Sequence, residues 1–296
     1  MPPCHVMSLV RSLAERLADE ATVLRLTLLI LLLRPPAEGM LRGLTWLVAG
    51  IAIVLPGVAR SSLTWLALTA LVGARLVADW PLSDNHIYLL GYWCLGLTLC
   101  LALPDAFPSV AAMSRWLVGA TFVCAMLWKG VLAPDFLDAR FFRLTLITDE
   151  RFADLAMAVG GLDLAQLERN RDALVALPEG AEVIDGPVLV EPPALRRLGL
   201  VLTWGGFVME TLLAAAFLSR RPQRLHALRH QMLLAFLVFT YAAAPVAGFG
   251  WLLAVMGLAQ CGSTEGRLRS AYVAAFALVL VYSETPLVHI ILGSIS

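Results

Sequence analysis

Along most of this chain the apolar residues come in long unbroken runs, separated by short clusters of arginine, proline and acid. A membrane span needs roughly 20 consecutive apolar residues. Runs of that kind lie at 42–59, 61–78, 86–103, 112–132, 197–218 and 270–292. Ala21–Leu33 is shorter and contains Arg25, so it spans only by continuing an amphipathic interfacial helix expected over 8–20. The apolar stretch 231–261 is broken by Pro245, Gly248 and Gly250, which predicts two short helices meeting at a bend. Such breaks are tolerated at membrane depth where protein or a cavity covers the freed backbone. The pattern predicts an all-α, polytopic membrane bundle of about eight segments. Glu15, Asp19 and Glu20 precede the first run and no small-residue cleavage site follows it, so it does not read as a cleaved signal.

Charges in the connections orient the segments. Residues 219–230 hold four arginines and no acid, which places that loop on the cytoplasmic side. Residues 133–195 hold five arginines against twelve acids and fall on the opposite side. The N-terminus is then inside and the C-terminus outside. The chain divides into N-terminal transmembrane helices (1–132), an external or interfacial insertion (133–195) and C-terminal transmembrane helices (196–296). Within the insertion, Asp149-Glu150 predicts a helix over about 149–159 and Asp163 another to about Leu177. Glu182–Glu191, with Asp185-Gly186 at its centre, reads as a β-hairpin, giving the insertion an α/β character. Phe136–Phe142 mixes aromatic and charged residues and suits the interface.

Composition agrees with the pattern: 59% of the 296 residues are hydrophobic and 15% are charged, with a mean hydropathy of +0.80. Soluble domains carry about 25% charged residues. The formal net charge is zero, which gives no reason to expect nucleic acid as a partner. Five cysteines (Cys4, Cys94, Cys100, Cys124, Cys261) show no CxxC and no zinc-like spacing, so no metal site is expected.

Against this background, ionisable groups inside the apolar runs are costly and call for partners. Lys129 stands out, because Trp116 to Trp128 before it carry no charge. It lies about 21 Å above Arg115 at 1.5 Å per residue. Burial disfavours the charged form of an amine, so Lys129 is a candidate buried base; the plainer alternative is snorkelling to the headgroups. Glu210 lies about 20 Å below Arg197, too deep to snorkel. Gly206 and Ala214 flank it at i−4 and i+4, leaving a small-residue face that another helix or a ligand can approach. Lys129 is a possible partner, since the two lie at similar heights. Arg75 and Asp79 are spaced to pair on one helix. Asp84 or Asn85 is placed to cap the helix that carries His86 in its first turn, and His86 can donate or accept at neutral pH. Glu284 precedes Pro286 and reads as a structural acid beside a kink; His289 reads as interfacial.

These residues fall into a familiar order. Asn85-His86-Ile-Tyr88-Leu-Leu-Gly resembles the Asn-His-x-Tyr-Leu element of the horizontally transferred transmembrane (HTTM) domain family, which includes the vitamin K-dependent gamma-carboxylase. Trp128-Lys129-Gly followed by Phe136 is similar to that family's lysine segment, and Gly206–Leu213 to its acid-bearing helix. Arg229-His230-Gln-Met with Gly248–Met256 resembles its His-x-Met and Gly-to-Val-Met pattern. The elements span about residues 15–261 in family order. The resemblance implies a helical membrane domain acting on a reduced quinone, menaquinol or a vitamin K-like quinol, in a bacterial cytoplasmic membrane. It implies Lys129 as the base that deprotonates the quinol and His86 as an acid or donor in the same pocket. Glu210 would be a polar partner, with Asn85, Tyr88 and Trp128 at the cofactor. The chain stops at Ser296, where the carboxylase continues into a luminal region that holds protein substrates, so the expectation is chemistry on a lipid or small molecule, or its loss, and not carboxylation of a protein.

Three classes of function follow. The first is an enzyme with quinol-dependent carboxylase- or oxygenase-like chemistry. The second is a non-catalytic subunit or lipid-binding partner of another membrane protein, in contact with membrane lipids. The third is a transporter, suggested by the broken 231–261 segment and the midplane acid but weakened by the absence of a visible inverted repeat.

Overall fold

The structure is a computed structural model that describes residues 21–36, 38–175, 186, 188–219, 221–243 and 246–284. The described residues are helical wherever they are regular, and no strand occurs among them. The principal helices are α1 (Ala21–Leu33), α2 (Gly39–Val54), α3 (Ser62–Ala78), α4 (Asn85–Leu101) and α5 (Ala106–Leu127). They continue as α6 (Arg140–Thr148), α7 (Leu164–Ala173), α8 (Pro193–Leu218), α9 (Arg229–Ala243), α10 (Ala247–Ala259) and α11 (Gly266–Glu284). Two stretches are long and apolar enough to cross a membrane: Ala106–Leu132, which extends α5 to 27 residues, and α8, with 26. α1 to α4 are apolar but shorter. The expected helix over 8–20, and the end of the expected 270–292 run with Pro286 and His289, lie outside the described residues.

The chain divides into two units: 1–121 with 216–241 and 245–296, and 122–215 with 242–244. In the larger unit, α3 packs along α4, α1 along α2, and α10 against α1, α4 and α11. Every residue from Trp251 to Leu258 of α10 is buried. A helix apolar on all sides belongs at the centre of its unit, and its lack of charge and small glycines allow that position. Gly250 and Gly257 are where the rings of Tyr241 and Tyr272 press against the helix, so a Cβ at either would collide with a ring. Several of the polar groups between these helices are paired. Thr27 donates to Val23 O and accepts from Trp93 Nε1 at 3.0 Å, and Ser114 donates to Met256 O at 2.5 Å. The 231–261 segment forms two short helices, α9 and α10, as expected, but Gly248 and Gly250 lie within α10 and do not break it; residues 244 and 245 lie outside the described residues.

In the smaller unit, Leu146, Ile147, Phe152, Ala156, Leu162, Leu167 and Leu195 form a compact core. The expected 149–159 helix is a 3₁₀ turn (Glu150–Phe152) followed by Ala153–Ala158. Asp163 caps α7 through a reciprocal pair of bonds with Gln166, as its position predicts. The hairpin expected over 182–191 differs. Residues 182–185 and 187 lie outside the described residues, while Gly186 and 188–191 carry no strand. The buried side chain of Asn170 takes the place of a partner strand, donating to Val190 O at 2.8 Å and accepting from Val190 N at 2.7 Å. One amide side chain satisfies both backbone groups, so the segment is held without a sheet. The insertion is helical, not α/β, among the described residues.

Candidate acid–base site

Lys129 sits on a widened turn. Residues Trp128–Leu132 form one turn of π-helix at the end of α5, closed by Ala133 N donating to Trp128 O at 2.8 Å. Such turns insert an extra residue and are frequent at functional positions. The turn stops where Pro134 removes a donor and begins the short helix Pro134–Leu137. From it Lys129 Nζ reaches Glu210 Oε1 at 2.5 Å. Nζ also lies 5.1 Å from the centre of the Phe136 ring, within cation–π range. Phe136 is buried and packs edge-on or tilted against Phe141 and Phe142.

Glu210 is carried by α8 between Gly206 and Ala214 and is 8% exposed. Its second oxygen, Oε2, is buried and has no hydrogen-bond partner among the described residues. Space is open above Gly206, where an added Cβ would meet nothing within 4 Å. At Gly130, beside the lysine, a Cβ would come to 3.4 Å from the Phe207 ring, so the π-turn and α8 approach closely there. Two turns before Glu210, on the same side of α8, Thr203 Oγ1 is likewise buried and unpartnered among the described residues. The site is therefore a cation and an acid locked together, with one buried acceptor left over. A buried oxygen without a partner is costly unless something occupies it.

Lys129 and Glu210 are thus brought together, with Trp128 exposed beside the lysine. Asn85, His86 and Tyr88 stand on α4 in the other unit. There Asp84 occupies the N-cap position without a side-chain cap bond, in contrast to the capping role expected of it. Its carboxylate lies 4.0 Å from His86 Nδ1. The imidazole rests on Gly248 of α10, where a Cβ would come to 2.9 Å from Nε2. Tyr88 packs edge-on against Trp80, and both line an apolar groove of about 470 Å³ between α3 and α4. Arg75 and Asp79 pair across one turn, as their spacing predicts. No group of three or more potential metal ligands occurs among the described residues.

Thr203 and the π-turn were not legible as site features. The one available signal for Thr203 is its spacing of seven from Glu210, two turns along the same face. Comparison with protein-family models, with curated proteins and with solved structures found no match.

Proposed function

We propose that the chain is a polytopic integral membrane protein whose Lys129–Glu210 pair is a proton-transfer site for the hydroxyl of a lipid-soluble quinol. The observation that carries the reading is the unpartnered, buried Oε2 of an acid whose other oxygen is already bonded to an ammonium. That atom fits a phenolic O–H. The hydroxyl proton passes to Oε2, and the oxyanion left behind is stabilised by Lys129, which stands beside the same carboxylate. In this arrangement the lysine and the acid act as one base, with the acceptor lone pair on Glu210. Phe136 holds the ammonium over its face and excludes water from that side. A reduced quinone, when bound, supplies the electrons for reaction with oxygen. The resemblance to the HTTM family supports the quinol as substrate class, and His86, Asn85 and Tyr88 enter the reading through that resemblance alone.

The test is turnover in proteoliposomes supplied with menaquinol and oxygen, with quinone and epoxide products quantified by mass spectrometry. A positioned acid–base group contributes about 10²–10⁴-fold to rate, so Lys129→Met and Glu210→Gln should each lose at least about a hundredfold. Equal product from wild type and both variants would sink the proposal.

A second reading is a non-catalytic subunit that binds lipid or another membrane protein. The open apolar groove lined by Gly73, Leu76, Trp80, Tyr88 and Tyr92 favours it. Purification of a stoichiometric membrane partner, together with silence in the menaquinol assay, would decide for this reading.

A further inference from the structure

We infer that the end of the larger unit where α8 finishes is a binding site for the phosphate headgroup of an anionic phospholipid. The inference rests on the membrane part of the reading above and is independent of its acid–base part.

Cations from four segments converge there. α8 ends at Leu218, and its last carbonyls face basic groups. Arg115 of α5 donates to Phe217 O at 3.2 Å, and His226 Nδ1 lies 3.1 Å from Ala216 O. Arg229 donates to His226 O at 3.0 Å. Beside it, His230 is buried, with Nδ1 2.9 Å from Tyr272 Oη and its ring against Phe217. In the first turn of α11, Arg269 is 2% exposed and donates to Cys261 O at 3.0 Å. Residues 216–283 contain one acid, Glu265, and α5 contains none.

Helix capping explains part of this, because cations are favoured at the carbonyl ends of helices. Arg115 and Arg269 serve that purpose, and His226 adds its contact with Ala216 O. Capping leaves two buried nitrogens unexplained: Arg229 Nε and His230 Nε2 have no partner among the described residues. With Tyr272 donating to Nδ1, the ring hydrogen is assigned to Nε2, so both nitrogens are donors. Capping also leaves Arg221 and Arg224, which are exposed in the same connection. Arg221, Arg224 and Arg229 have no carboxylate partner among the described residues, and such guanidinium donors suit a phosphodiester, which offers oxygens and a charge at any neutral pH.

Lipid is favoured over free phosphate by location. α8 is one of the two helices long and apolar enough to cross a membrane, so its end is where headgroups lie. Exposed Trp116, stacked under Arg115 with 4.8 Å from guanidinium to ring centre, and exposed Leu228 give the glycerol and upper acyl chains an apolar seat. Interfacial tryptophan beside arginine is the usual furnishing of that depth.

The test is lipid retention. The full chain, purified in mild detergent, is incubated with equal phosphatidylglycerol and phosphatidylcholine of identical acyl chains, and the retained lipid is quantified by mass spectrometry. Phosphatidylglycerol should be retained in several-fold excess. Each arginine near a headgroup contributes about fivefold, so R221Q/R224Q, at exposed positions that leave the fold intact, should bring the excess down to near parity. R140Q, an exposed arginine of the other unit paired with Asp135 and Asp138, should leave it unchanged. Equal retention of the two lipids, or a wild-type excess in R221Q/R224Q, would overturn the inference. In a parallel melting experiment phosphatidylglycerol should stabilise and inorganic phosphate should not; equal stabilisation by phosphate would overturn the assignment to lipid.

Discussion

If Lys129 and Glu210 form one unit, removing either should hurt more than removing both. Nζ and Oε1 are 2.5 Å apart, and the side chains are 25% and 10% exposed. Unit charges near 4 Å attract by about 4 kcal/mol at an effective dielectric of about 20. Taking both from water offsets much of that, so the pair itself adds little net stability. Stranding one partner is different, and typically costs about 3–5 kcal/mol. The partial exposure of the lysine draws the Glu210→Gln cost toward the lower figure, about 3 kcal/mol, because water can reach the stranded ammonium. Lys129→Met leaves a carboxylate already missing one partner and should be the worse variant. Domains of 150–250 residues lose about 2–4 °C per kcal/mol, so Glu210→Gln should melt about 6–12 °C lower in detergent and Lys129→Met lower still. The double variant should melt above either single variant, which requires a coupling energy larger than the loss of the worse single one. Thermal melts of the four proteins complete the cycle. Strictly additive losses would refute the reasoning, because they would mean that neither residue compensates the other.

Three further outcomes are expected. Gly248→Ala should drive a methyl into the His86 imidazole, costing about 1–3 kcal/mol as overpacking does, and a His86→Ala background should relieve it; a neutral Gly248→Ala melt would argue against the contact. Asn170→Ala should strand the N–H and C=O of Val190, at about 1–3 kcal/mol, and expose 188–191 to limited proteolysis, with an unchanged cleavage rate as the contrary result. The Arg151 hydrogen bond holds the Asp149 carboxyl below its ordinary value of 3.8. A carboxyl lowered by folding stabilises above its unfolded value and loses that contribution as pH falls through its folded one. Asp149→Asn should therefore cost a little at pH 7, under about 1 kcal/mol for so exposed a pair, and nothing near pH 2; a cost independent of pH would contradict the pairing.

The sequence alone determined where the helices are and which residues the apolar runs make expensive. Apolar runs, prolines and glycines act within a turn or two, so α3, α4 and α8 begin and end within a few residues of their expected limits. The same locality made the Arg75–Asp79 pair and the Asp163 cap readable. Lys129 and Glu210 stood out for a related reason, since a charge within an apolar run announces its own cost. The tertiary structure decided what meets them. Lys129 and Glu210 are 81 residues apart, and their contact depends on how far α8 is rotated and on one extra residue in the turn after α5. Neither is encoded by any nearby spacing. The same holds for Asn170, which replaced an expected strand by bonding Val190, and for Arg115 at the end of α8. A side chain's identity limits the partners it needs, but only the packing of distant helices determines which partner comes within reach.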